Sequence, residues 1–230
     1  MKTVGLIGGM SWESTALYYR LLNEAARERH HGLTSARILL WSMDFQVIAD
    51  LQTAGDWQTL RAHMVEAAQR LHMAGADFLA IATNTMHRLA PAIEAAVDCP
   101  LIHIGDATGK AIHQQGLRRV ALLGTRYTME TPDVLTERLQ AQFGLEVIVP
   151  DPADRNAIHA LIFEELCQGC FTEAGKDTLL TVIARMQAAG AEGVILGCTE
   201  LPLIVTQPDA TLPLFDTTRL HAAAIADAIL

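Results

Sequence analysis

Two matching stretches, half a chain apart, constrain this sequence more than any bulk property does. Ala74-Gly75-Ala76-Asp77-Phe78-Leu79-Ala80-Ile81-Ala82-Thr83-Asn84-Thr85 corresponds in character, position by position, to Ala189-Gly190-Ala191-Glu192-Gly193-Val194-Ile195-Leu196-Gly197-Cys198-Thr199-Glu200. In each, a short apolar run gives way abruptly to polar residues. The run reads as a buried parallel strand, and the change marks its C-terminal end. In open α/β sheets that edge is where ligands bind, and backbone N–H groups opening the next segment favour anions there. Thr83 and Cys198 occupy equivalent positions at the two edges.

The duplication extends further. Val4-Gly5-Leu6-Ile7-Gly8 pairs with Val120-Ala121-Leu122-Leu123-Gly124, and Pro100-Leu101-Ile102 with Pro213-Leu214-Phe215. Val4 to Thr83 spans 79 positions and Val120 to Cys198 spans 78, so the halves align almost without gaps. Strand-length apolar runs fall at 4–8, 38–43, 78–82 and 101–104, and again at 120–124, 145–149, 193–196 and 212–215. Helical patterns separate them at 14–29, 57–74 and 88–96, then at 130–142, 155–166 and 172–189. Alternating β and α implies parallel sheets. The expected fold is therefore α/β with two similar domains, each a mostly four-stranded parallel sheet flanked by helices, related by a pseudo-two-fold axis. The expected division is 1–98 plus 213–230 for the N-terminal domain, its last helix (220–230) crossing back, and 99–212 for the C-terminal one. The substrate site is expected between them, with Thr83 facing Cys198.

Composition narrows the partners. The chain has 230 residues, half of them hydrophobic, which is ample for well-buried cores. A formal net charge of -9, with neither a basic stripe nor a Lys/Arg run, argues against nucleic acid or an anionic membrane as partner. The apolar run from Val4 to Met10 is cut short by Trp12-Glu13-Ser14 and reads as a first strand rather than an export signal. A reducing cytoplasm is expected, with Cys99, Cys167, Cys170 and Cys198 as thiols. Cys167-Gln168-Gly169-Cys170 has no second cysteine pair and no histidine at ligand spacing, so no metal is expected there. Cys99, ahead of Pro100, reads as packing.

A sulfur at a cleft, faced by a second residue, suits taking a proton from one face of a carbon and returning it on the other. Helix-start N–H groups are expected to lower the Cys198 pKa from the thiol reference near 8.5, and the amides after Thr83 and Cys198 to hold a carboxylate or enolate charge. Taken alone, the tetrapeptide Gly197-Cys198-Thr199-Glu200 reads better as the setting of a buried structural cysteine.

Three motifs carry a resemblance. Val4-Gly5-Leu6-Ile7-Gly8-Gly9-Met10-Ser11-Trp12-Glu13-Ser14-Thr15, Asn84-Thr85-Met86-His87 and Gly197-Cys198-Thr199-Glu200 resemble the signatures of the cofactor-independent aspartate/glutamate racemase family, along essentially the whole chain. The glycine-rich string fits neither the dinucleotide nor the P-loop pattern. The resemblance implies an amino-acid racemase with no pyridoxal phosphate, no metal and no other cofactor, acting on a small-molecule amino acid as a homodimer. It points to Met10, Gln52, Asn84, Thr85, Thr125, Thr199 and Glu200 as substrate-binding residues, with Glu200 accepting the substrate ammonium while also tending to raise the neighbouring thiol's pKa. His87 would support the loops at the site. Arg126 is the nearest candidate cation for a distal carboxylate.

One departure stands out. The family pattern has a cysteine in each half, and here the first-half position is Thr83, whose hydroxyl is too weak an acid to be ionised at neutral pH. Family logic gives Cys198 the α-proton of the L-enantiomer and leaves Thr83, acting directly or through water, on the opposite face. The alternatives are a single-cysteine decarboxylase of a malonate-type substrate and an amino-acid-binding protein that has lost catalysis.

Overall fold

The computed structural model describes residues Met1–Leu230. In chain order the elements are β1 (Thr3–Gly8), α1 (Trp12–His30), β2 (Arg37–Ser42), α2 (Phe45–Ala54), α3 (Trp57–Met73), β3 (Phe78–Ile81), a 3-10 turn (Thr85–Leu89), α4 (Ala90–Glu94), β4 (Leu101–Ile102) and α5 (Ile104–Gln114). There follow β5 (Arg119–Leu123), α6 (Arg126–Met129), α7 (Thr136–Phe143), β6 (Glu146–Ile148), α8 (Pro152–Ala160), a π turn (Leu161–Glu165), α9 (Glu173–Ala188), β7 (Gly193–Leu196), β8 (Leu214–Asp216) and α10 (Thr217–Ile229). Two four-stranded parallel sheets result, ordered β2-β1-β3-β4 and β6-β5-β7-β8.

The duplicated stretches do the same structural work in both sheets. Val4 pairs with Phe78 and Val120 with Gly193, so the matched runs lie in matched register. The acidic residue ahead of each run anchors the central strand's entry. Asp77 Oδ2 accepts the Thr3 N–H at 2.7 Å, and Glu192 Oε2 accepts the Arg118 and Arg119 N–H groups at 2.6 and 2.9 Å. Those two donors hold the Glu192 carboxyl below its ordinary pKa.

In the first unit, β3 alternates its faces as a strand must. Leu79 and Ile81 pack with Leu60, Met64, Ala67 and Leu71 of α3, while Ala80 packs with Tyr18 and Leu22 of α1. Ser11, Asp44 and Asp56 cap α1, α2 and α3 by accepting N–H groups of the first turns. In the second unit, Ala121, Leu123, Val194 and Leu196 pack against Leu179, Val182, Ile183 and Met186 of α9.

The units are residues 1–104 with 221–230, and residues 105–220. These boundaries correct the expected 98/99 and 212/213. Leu101 and Ile102 pair with β3, and Leu214–Asp216 with β7, so each fourth strand stays with its own sheet. The helix after each fourth strand is what changes unit. In α5, Gly109 lies where a Cβ would come within 2.3 Å of the Phe143 ring on α7. From α10, Ala222, Ile225 and Ile229 pack with Val4, Leu6 and Tyr18.

Two further differences have local causes. The pattern over 130–142 begins as a helix only at Thr136, since Glu130 closes α6 and Pro132 interrupts. The 155–166 pattern starts earlier, at Pro152 behind the Asp151 cap, and widens into the π turn.

Gly9, in the loop after β1, has φ +84°, and a Cβ there would lie 2.2 Å from the Met43 carbonyl oxygen. Gly75 has a similar φ of +95° with open space around it. Gly75→Ala should therefore cost about 1 kcal/mol, the left-handed strain alone, and Gly9→Ala at least about twice that, because backbone must also move. Urea unfolding midpoints of the two variants measure the difference.

Candidate active site

Each sheet ends in one hydrogen bond beyond its central strand pair. The Ala82 N–H donates to Ile7 O at 2.8 Å, and the Gly197 N–H to Leu123 O at 2.7 Å. The next residue in each case is Thr83 or Cys198, both half-buried. The strand ends of the second unit crowd together, since a Cβ on Gly124 would lie 3.1 Å from Gly197 O and one on Gly197 3.4 Å from Thr128 Cγ2. That closeness brings the Thr125 loop beside the Cys198 loop.

In the second unit Cys198, Thr199 and Glu200 form one cluster. The Cys198 thiol donates to Glu200 Oε2 at 2.9 Å, and Thr199 Oγ1 donates to the same oxygen at 2.7 Å. Glu200 is buried. Burial pushes the Cys198 pKa well up, and the Glu200 carboxylate adds to it by repulsion and by accepting the thiol proton; the Glu200 backbone N–H pulls the other way. The expectation of a lowered pKa is thus corrected. The segment opened after Cys198 is a single 3-10 turn, Leu201–Leu203, too short to outweigh an adjacent carboxylate.

Thr125 precedes α6, its carbonyl accepting from Thr128 and Met129, and its hydroxyl lies 3.4 Å from that of Thr128. Arg126 is exposed, and its N–H donates to His159 Nδ1 at 3.3 Å. Nothing in the sequence singles out His159, a helical residue of α8 with no motif around it. Burial, then the Arg126 charge, lower its pKa, while Glu130 and Glu164 oppose them.

In the first unit Asn84 and Thr85 are buried directly after Thr83. His87, in the same turn, places Nδ1 2.8 Å from Thr83 O and Nε2 3.2 Å from the Ile104 nitrogen. Met10 packs in the apolar cluster with Ile7, Ile48 and Met64. Gln52 lies in the last turn of α2 rather than at the strand edge. Cys99 is buried and donates to Ala76 O, as a packing residue would. No group of three or more His, Cys, Asp or Glu side chains is arranged to hold a metal ion, and no helix is long and apolar enough to cross a membrane.

The chain belongs to the Asp/Glu/hydantoin racemase family, whose model matches residues 7–225. It is 49% identical to a candidate Asp/Glu racemase from Yersinia pestis, whose crystal structure superposes with a TM-score of 0.93 over 100% of this chain and 99% of that one. An aspartate racemase homologue from Pyrococcus horikoshii OT3 is 33% identical with a TM-score of 0.87, again over 100% and 99%. The broad specificity amino-acid racemase RacX of Bacillus subtilis (strain 168) is 23% identical over 224 residues, 95% of this chain and 94% of its own.

If the Glu200 carboxylate helps hold up the Cys198 pKa, Glu200→Gln should lower it. Iodoacetamide labelling of Cys198 measured against pH, with Cys198→Ser to subtract the other thiols, should show the rise in reactivity moving to lower pH in the Gln variant.

Proposed function

We propose that this protein racemises aspartate- or glutamate-type amino acids without a cofactor, with Cys198 and Thr83 attending opposite faces of the α-carbon. The observation that carries the reading is the equivalence of the two strand ends, one bearing a thiol and the other a hydroxyl. Family membership supports the reaction class, and the names of the relatives support the substrate class.

In this mechanism the substrate ammonium pairs with the Glu200 carboxylate, which accepts the thiol hydrogen bond at 2.9 Å, and with that charge offset the thiol proton leaves to solvent. The thiolate then removes the α-proton of the L-enantiomer. The carbanion's charge spreads into the α-carboxylate, held by backbone amides following Thr83 and Cys198. Thr83, directly or through a water, delivers a proton to the opposite face, giving the D-enantiomer, and the alkoxide or hydroxide left behind takes a proton back from solvent, balancing the one the thiol released. The hydroxyl is a far weaker acid and forms no standing base, so the two ends work unequally. Arg126, with His159 against its backbone, supports recognition of a distal carboxylate. The reading includes a cytoplasmic homodimer, and exposed Trp12 and Tyr19, seven residues apart on one face of α1, support self-association. Sedimentation should give twice the chain mass, and Trp12→Glu should shift it toward the monomer.

Racemisation has an equilibrium constant of unity, so the inequality cannot appear as a one-way reaction. It appears in D2O. L-aspartate or L-glutamate should exchange its α-proton faster than it inverts, while the D-enantiomer shows no comparable exchange with retention. Cys198→Ala should lower both exchange and inversion by ~10²–10⁴-fold, the usual worth of a general base. Thr83→Cys should raise inversion and close the gap. Rates should climb with pH as the thiol ionises. Proton NMR with chiral chromatography reads both processes in one tube; exchange surviving in Cys198→Ala would overturn the roles, and carbon dioxide release from a substituted malonate would favour decarboxylation.

A further inference from the structure

Behind Thr83 lies a group of buried imidazoles that the proposed proton transfers leave unused. His87, His103 and His221 are each 4% exposed or less. The His87 ring centroid lies 4.5 Å from that of His103 and 5.6 Å from that of His221. His103 precedes Ile104, where the chain leaves the first unit, and His221 is where it returns.

The hydrogen bonds fix the tautomers. A backbone N–H can only donate, so Nε2 of His87 is the acceptor from Ile104, and the proton sits on Nδ1, which donates to the Thr83 carbonyl. The same reasoning puts the His221 proton on Nε2, donating to Ile102 O at 2.7 Å, with Nδ1 accepting from the Tyr18 hydroxyl at 2.9 Å. Burial first, then His103 and His221, hold the His87 pKa well below its ordinary value. Both nitrogens of His87 are therefore committed to backbone, and the ring neither takes nor gives a substrate proton.

What it can do is aim a peptide. The Thr83–Asn84 bond is trans, so its C=O and N–H point in opposite directions. Pinning the Thr83 carbonyl toward His87 turns the Asn84 N–H the other way and fixes the backbone torsion that directs the Thr83 side chain. We propose that His87 is a positioning residue for the Thr83 end of the reaction, setting the Thr83–Asn84 peptide through Nδ1–H and tying that setting to Ile104 through Nε2. The proposal rests on the racemase reading above.

Exchange with retention and inversion share one carbanion, so their ratio depends only on the steps after its formation. General damage to the site lowers both in step. A displaced Thr83 changes the ratio. His87→Phe, which keeps a ring and loses both polar contacts, should raise the ratio of L-exchange to inversion at least fivefold. His87→Asn, which keeps a donor near the Nδ1 position, should raise it less. An unchanged ratio in whichever variants fold overturns the proposal. A second measurement is independent of turnover. In the unmodified protein, nitrogen NMR should report a neutral Nδ1–H imidazole at His87 well below the ordinary histidine titration, and the Asn84 amide resonance should move in both variants. An Nε2–H tautomer or an imidazolium overturns the assignment even if the protein racemises. Failure of the unmodified protein to exchange any amino-acid α-proton counts against the racemase reading, and the NMR result then decides the role of His87.

Discussion

The site depends on where two parallel strand pairs stop. Past the last ladder bond, Ala82 and Gly197 each make one more hydrogen bond to the central strand, and the chain must then turn. That fixes the depth of Thr83 and Cys198 to within a bond, because a register slip in either sheet would also turn the apolar run inside out. Asp77 and Glu192 secure the same register from the opposite end of the strand pair, each exchanging hydrogen bonds with the entry of the central strand. A strand of four residues is held at both ends, and the residue that follows it inherits that rigidity.

On this shared frame the two ends have diverged chemically. The thiol arrives with a carboxylate two residues on, and the position equivalent to Glu200 in the first half is Thr85. The carboxylate needs the thiol and the Thr199 hydroxyl to satisfy it in a buried place. The hydroxyl end needs no such partner. It has instead a neutral imidazole behind the backbone, and orientation is what a weak acid such as a hydroxyl has most use for.

Much of this is legible in the sequence because it is carried by period and repetition. The eight strands, the four-plus-four parallel arrangement and the equivalence of Thr83 with Cys198 all come from apolar runs matched at a fixed distance. The helices α2 and α5 are not legible. The first is ten residues long, between a strand and a second long helix, and its Asp44 and Gly55 termini enclose only a short apolar pattern. The second carries Gly105 and Gly109, and Gly109 is required by the approach of Phe143, a contact no local pattern contains. The unit boundaries are legible in part: the crossing back of the last helix is expected and found, whereas the fourth strands, expected beyond each break, stay with their own sheets because their pairing with β3 and β7 holds them there. The imidazole cluster joins residues more than a hundred positions apart, and its histidines look ordinary in their own segments.

The raised pKa of Cys198 bears directly on how such a base can work. For each unit the thiol pKa rises, the thiolate fraction at neutral pH falls tenfold, while the basicity of the thiolate that remains raises its rate by less than tenfold, since proton transfer responds with a Brønsted slope below one. In the free protein the balance is therefore unfavourable. On the proposed mechanism a bound amino acid would change it, because an ammonium beside Glu200 would offset the charge that opposes ionisation. On that mechanism the thiolate would form mainly when there is a substrate to use it, with the strength that a desolvated sulfur has against a weakly acidic α-proton. Burial and Glu200, which suppress the thiolate at rest, are on this view the same features that make it a capable base once the ammonium arrives.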